Sequence, residues 1–167
     1  VIYPGPSQPM SAEEEAERLE ASDAFSWRLS IAACRDHLGV RFDQLSFLET
    51  GAGPEGETGE VRARPETLGD VILGRKDVGT SYHLACTHDD ALQGVTHVIR
   101  GVDLFFATHL HRLLQELMGW PVPVYRHHRL MLDETGKRFA KRDQSPTLRA
   151  LRDAGETPES LRQQVGL

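Results

Sequence analysis

The residues that stand out for chemistry lie in one stretch, GDVILGRKDVGTSYHLACTHDDALQGVTHVIRGVD, residues 69–103. Apolar runs of strand length at 71–73 and 95–99 enclose Ser81-Tyr82-His83 and the pair Asp89-Asp90, and Arg100-Gly101 follows the second run. A core needs only the apolar residues. The polar insertions read as the lining of an amino-acid pocket in a nucleotide-dependent ligase. A second candidate is GKRFAKR, residues 136–142, placed just past a strand end, where open α/β sheets bind ligands. Lys137, Arg138, Lys141 and Arg142 carry the charge to neutralise a triphosphate. A solvated basic turn is the competing reading. No GxxxxGK[ST] and no GxGxxG occurs, so nucleotide bound here would be held without a P-loop.

Eight histidines raise a metal reading, but their spacing argues against it. His109 and His111 project from different faces of one helix, and His127 and His128 from opposite faces of one strand. His83, His88 and His97 have no cysteine or carboxylate partner at a recognised spacing. Structural or surface roles are expected for all of them. Asp89-Asp90 suits Mg²⁺, or equally a helix-terminal or turn role. No GxSxG elbow supports a Ser-His-Asp triad.

The elements that must position these residues follow from periodicity. Ser11 and Glu14 form an S-x-x-E capping box for a first helix whose acidic first turn suits the helix dipole. Residues 25–38 place Trp27, Ile31, Cys34 and Leu38 at helical spacing, with Cys34 a small core residue. Residues 45–48 read as a strand and 61–63 as its hairpin partner, joined by a mobile Gly/Glu-rich loop at 51–59. Residues 103–117 read as a helix closed by Gly119, and 124–132 as a strand. Ser145-Pro146 and Thr157-Pro158 start two short helices. Strand, helix, strand and helix in that order imply a parallel α/β sheet.

At 167 residues the chain can bury a proper core. Its 26% charged and 39% hydrophobic residues are ordinary for a globular protein, and no run approaches the roughly 18 apolar residues of a membrane span. Two cysteines form neither a disulfide framework nor a metal knuckle, which points to the reducing cytosol. The net charge of −6 is uneven: residues 1–123 carry 10 Lys/Arg against 19 Asp/Glu, and residues 124–167 carry 9 against 6. The C-terminal part is thus the one suited to meet a polyanion.

Taken together, SYHLACTHDDALQGVTHVIRGVDL and the later HHRLMLDETGKRFAKR resemble the C-terminal part of the catalytic domain of class I glutamyl-tRNA synthetases. The resemblance spans roughly residues 70–167. In that family a Tyr-rich strand leads into an Asp-Asp turn, and an Arg-Gly-x-Asp segment follows a β-strand. The resemblance implies that Tyr82 lines a glutamate pocket, that Arg100 holds the glutamate and that Asp103 orients the loop. It equates the basic loop with the family's KMSKS loop: Arg138 at the first lysine, Phe139 at the methionine, Ala140 at the serine and Lys141 at the second, catalytic lysine. With Arg142, these would meet the ATP phosphates. Two departures concern the lining: Ala140 lacks a hydroxyl, and Cys86 with Thr87-His88 replaces the usual residues before the acidic pair.

Only 25 residues follow Arg142, too few for helical anticodon-binding domains. That is most similar to a short branch of the family, which activates L-glutamate with ATP and Mg²⁺ and transfers it to the queuosine base of tRNA-Asp. The alternatives are a shortened ordinary enzyme charging tRNA-Glu, or a non-catalytic paralogue that binds RNA or amino acid. Tyr3-Pro4-Gly5-Pro6-Ser7 resembles that branch's Y-P-G-x-C zinc segment, but serine replaces the thiolate, so no zinc is expected. The implied fold is α/β: the second half of a Rossmann-type class I aminoacyl-tRNA synthetase catalytic domain (69–167), preceded by part of the connective insertion (1–68). The half carrying the HIGH motif is missing from the sequence, so this span is expected to belong to a longer cytoplasmic monomer and to be inactive alone.

Overall fold

The computed structural model describes residues 10–21, 24–132, 136 and 147–166. It divides into two units, Val1–His128 and Arg129–Leu167.

In the first unit a four-stranded sheet runs in the order β3 (Gly59–Arg62), β2 (Ser46–Glu49), β6 (Val124–His128), β5 (His97–Gly101). β2, β6 and β5 are parallel, and β3 is an antiparallel edge paired to β2 from Ser46↔Arg62 to Glu49↔Gly59. β5 and β6 are joined by helix α4 (Phe105–Met118), entered through a 3₁₀ turn over Val102–Leu104. Gly119, at φ 65°, closes α4, as a left-handed residue without a Cβ can. The core lies where α4 covers the sheet. The Phe47 ring sits 5.9 Å from Phe105 and 5.5 Å from Tyr125, edge-on to both, with Leu113 fully buried beside them. Arg112 fastens α4 to the start of β2, its Nε donating to the Ser46 carbonyl at 2.9 Å.

Several elements differ from the expectations. Residues 25–38 do not form one helix: β1 (Trp27–Leu29) precedes α2 (Ile31–Leu38). Ser30 interrupts the pattern as N-cap, accepting the Ala33 N–H, and Asp70 Oδ1 accepts the orphan Ile31 N–H at 2.8 Å. Trp27, Ile31, Cys34 and Leu38 therefore share helical spacing without sharing a helix, although Cys34 is buried as expected. The apolar run at 71–73 is a strand, β4 (Val71–Gly74), but it pairs antiparallel with β1 in a separate ribbon. Gly74 is needed there, because a Cβ would come within 2.8 Å of the Trp27 ring.

The segment matched to the family's Tyr-rich strand is a helix, α3 (Tyr82–Leu92), because Ser81 caps it by accepting the Leu84 N–H. Asp89 and Asp90 belong to that helix; the turn comes after them, at Gln93-Gly94. Only half of the first capping box forms: Ser11 accepts the Glu14 N–H, but the Glu14 carboxylate pairs with Arg18 at 2.8 Å. That first helix is α1 (Ala12–Glu20). The 51–59 loop is tied down by Gly53 N–H to the Glu57 carbonyl at 2.9 Å, with Gly53 against the Phe105 ring.

In the second unit Thr147, rather than Ser145, caps α5 (Leu148–Asp153). Thr157 and Ser160 form a full capping box at the start of α6 (Pro158–Val165). Ser145, Pro146 and the basic loop 137–142 lie outside the described residues, as does Ser7.

Phe105 is 1% exposed at the point where sheet and helix meet. Phe105→Ala is expected to destabilise the chain by about 3–5 kcal/mol in urea denaturation, through lost burial and the cavity left behind. Leu148→Ala, at 76% exposure, should change stability by less than about 0.5 kcal/mol.

Candidate functional site

Arg100 stands at the C-terminal end of β5, paired across the parallel ladder with His127 of β6. Paired residues in register put their side chains on the same face of the sheet. Above that face α4 presents Thr108 and His111, three residues apart and so on one side of the helix. The Arg100 guanidinium is received by all three: Nε donates to His127 Nε2 at 3.1 Å, Nη1 to His111 Nδ1 at 3.2 Å, and Nη2 to Thr108 Oγ1 at 2.6 Å. Its Cζ lies 5.3 Å from the Tyr125 ring centroid. Arginine has five N–H donors, so two remain besides these three, one on each terminal nitrogen, and the Tyr82 hydroxyl lies within hydrogen-bonding reach of the guanidinium.

The acceptors are fixed by what stands behind them. Glu49, the last residue of β2 and 1% exposed, accepts the Gly51 N–H at 2.7 Å, the His127 N–H at 2.9 Å and His127 Nδ1 at 2.5 Å. Burial pushes this carboxyl's pKa up, but those bonds outweigh it and hold the group below its ordinary value, as a carboxylate. Gly51 admits this approach only because it lacks a side chain: a Cβ would lie 2.1 Å from the His127 carbonyl oxygen. With its Nδ1 proton on Glu49, His127 offers a bare Nε2 to Arg100. Burial lowers the His127 pKa, against the raising effect of Glu49.

His111 is neutral too, its pKa lowered to about 3 by burial and then by the charge of Arg100. Accepting at Nδ1, it keeps its proton on Nε2, 3.1 Å from His83 Nδ1 and 3.7 Å from Cys86 Sγ. His83 is lowered by burial and then by Arg100. Burial also raises the Cys86 thiol, which stays protonated and is a poor nucleophile.

Tyr82, 53% exposed at the start of α3, forms the outer wall, with its ring centroid 5.5 Å from His83 and 6.1 Å from His111. Burial raises its pKa, Cys86 adds to the rise, and Arg100 opposes it. Tyr82 and Arg100, 18 residues apart in sequence, therefore lie beside one another. Asp90 stands close enough for Arg100 to oppose the rise that burial causes in its carboxyl.

Arg138, Phe139, Ala140, Lys141 and Arg142 fall outside the described residues. Glu49, Thr108, His111 and His127 had no assigned part in a site. The available signals were an acidic residue ending an apolar strand just before Gly51, and histidines inside otherwise apolar elements. His109 and His111 do face apart, His109 packing on Phe47 at 5.6 Å between ring centroids. His127 is buried and His128 exposed. On His109's flank of α4 lies a separate hollow of about 370 Å³, lined by Arg62, Arg64, Glu57 and Phe106 among others. Among the described residues no three His, Cys, Asp or Glu side chains gather as metal ligands, and no helix is long and apolar enough to cross a membrane.

His83, His109, His111 and His127 are all held below the ordinary value of 6.5. The unfolded chain therefore takes up protons first as pH falls, so the stability these groups contribute is complete above about 6.5 and is lost below it. Glu49, also lowered, adds to the loss at more acidic pH. The melting temperature should fall steadily from pH 7.5 to 5, and His111→Asn should flatten that slope. A melting temperature independent of pH over this range would contradict the neutral network.

Residues 53–167 match the family described as tRNA synthetases class I (E and Q), catalytic domain. A glutamyl-Q tRNA(Asp) synthetase from Rhodobacter capsulatus is 42% identical across all of this chain and 57% of its own length. One from Symbiobacterium thermophilum is 35% identical over 95% of this chain and 45% of its own length. The chain thus spans about half the length of these curated relatives. Among solved structures, the glutamate-tRNA synthetase of Elizabethkingia anophelis matches with a TM-score of 0.56 at 26% identity, over 80% of this chain and 24% of that one.

Proposed function

Since the chain belongs to the class I tRNA synthetase (E and Q) catalytic-domain family, we propose that its protein activates L-glutamate with ATP and transfers it to the queuosine base of tRNA-Asp. The observation that carries the proposal is the Arg100 guanidinium. It sits at the carboxyl end of a parallel strand, where such sheets bind ligands, held by three neutral acceptors beside Tyr82. Two N–H groups, one on each terminal nitrogen, suit a substrate carboxylate, and Tyr82 supplies a wall and a hydroxyl.

In the first step a glutamate carboxylate oxygen attacks the α-phosphorus of ATP in line, and pyrophosphate leaves. Such a step depends on positioning and charge stabilisation more than on acid–base catalysis. Arg100 and Tyr82 position the acid. Lys141 is the proposed catalytic cation, and Arg138, Arg142 and the backbone of Phe139 and Ala140 hold the phosphates of ATP, which arrives with its Mg²⁺. Residues 1–68 are assigned to the connective insertion and 69–167 to the second half of the catalytic domain. Serine at position 7 offers no thiolate, so no zinc is assigned. The protein is taken as a cytoplasmic monomer.

A 32% identical match to a "glutamate--tRNA ligase 2" from Nitrosococcus oceani, over 95% of this chain, favours a second reading in which tRNA-Glu is the acceptor. Charging assays with the full-length protein separate the two. A requirement for queuosine in tRNA-Asp supports the first reading, and charging of tRNA-Glu sinks it. Lys141→Ala is expected to abolish glutamate-dependent ATP–pyrophosphate exchange; exchange at the wild-type rate would remove Lys141 from catalysis.

A further inference from the structure

We infer that Glu49 and His127 are positioning residues for the amino-acid substrate, acting through Arg100 by fixing which imidazole nitrogen faces the guanidinium. The inference rests on the reading of Arg100 as the glutamate-binding cation. A carboxylate at 1% exposure is expensive to bury, and a sheet core would be better served by an apolar residue at the end of β2. Glu49 is nevertheless there, with each bond of its carboxylate directed at the β6 strand or at the turn that lets β2 approach it.

The consequence is a chain of determined protons. Glu49 Oε2 accepts from His127 Nδ1, so His127 Nε2 carries a lone pair. That lone pair receives Arg100 Nε–H at 3.1 Å, which fixes one edge of the guanidinium plane. Thr108 and His111 take one N–H from each terminal nitrogen and fix the rest of the plane. With the other tautomer, His127 Nε2–H would face Arg100 Nε–H, donor against donor, and would compete for Thr108 Oγ1, 3.3 Å from that nitrogen, which now accepts from Arg100 Nη2, so the guanidinium would have to turn. Both ends of the arrangement carry charge, Glu49 negative and Arg100 positive. They are joined through an imidazole rather than directly, so one N–H on each terminal nitrogen is left, beside the Tyr82 hydroxyl, to meet a second carboxylate.

Glu49→Gln in the full-length protein tests this. The carboxamide oxygen can keep the two backbone N–H bonds, while its NH₂ replaces the oxygen facing His127 Nδ1 and drives the ring proton to Nε2. Expected are a KM for glutamate raised by about 10–100-fold in ATP–pyrophosphate exchange, an unchanged KM for ATP, and partial rescue by Glu49→Asp. The ¹⁵N shifts of His127 should exchange the protonated and bare nitrogens between wild type and variant. Arg100→Lys and Tyr82→Phe are the controls. If they leave the glutamate KM unchanged, the reading of the pocket fails. If they raise it while Glu49→Gln changes neither KM nor tautomer, the relay alone fails. Should Glu49→Gln not fold, the wild-type spectrum still decides: a proton on Nε2 of His127 overturns the relay, and a bare Nε2 supports it.

Discussion

The buried Glu49 carboxylate is the constraint on which the rest of the first unit depends. It stands where β2 meets β6, and the two strands share only the single ladder pair Glu49↔Tyr125. The seam is continued by Thr50 and Ala52 N–H groups donating to the Tyr125 and His127 carbonyls. A charged group in such a place is stable only if its bonds are complete, and here they come from the backbone of both sides of the seam. Sheet assembly and site assembly are therefore one event. β2 cannot reach its register without supplying the carboxylate, and the carboxylate has only the Gly51 N–H until β6 brings the two bonds from His127.

The same arrangement explains why a site so rich in titratable groups carries so little mobile charge. His83, His111 and His127 surround one guanidinium, and a proton on any of them would set cation against cation. Burial and Arg100 keep His83 and His111 neutral, and burial prevails over Glu49 at His127. Imidazole is useful here as a rigid, uncharged acceptor. Tyr125 extends the rigidity, stacked 6.2 Å from His127 at 7° and with its hydroxyl accepting from Gln115 Nε2 at 2.9 Å.

Much of the scaffold was legible in local pattern. The period of 103–117 gave α4, and Gly119 its end; the apolar run at 95–99 gave β5, and the alternation read over 124–132 gave β6, which ends at His128. Where local pattern misled, a capping residue was responsible: Ser30 split an apparent helix, and Ser81 turned an expected strand into α3. Tyr82 and Arg100 stood out as polar insertions among apolar runs, and the resemblance gave them their expected roles. Glu49 and His127 did not stand out, because the bond that gives them meaning spans 78 residues. A histidine in an apolar strand looks the same whether it is a core residue or a link to an arginine. Only the fold tells them apart.

Gly51 sets a limit on how this protein can vary. A methyl group there would overlap the His127 carbonyl and crowd Glu49, so the position is closed to drift by space alone. Gly53 is closed in the same way, since a Cβ there would come within 2.4 Å of the Glu57 carboxylate and 2.7 Å of the Phe105 ring, and Gly56 has open space but a φ of 87°, where glycine is favoured. The root of the hairpin loop is thus held by lack of space and its tip by backbone conformation, two different physical limits meeting in one short segment.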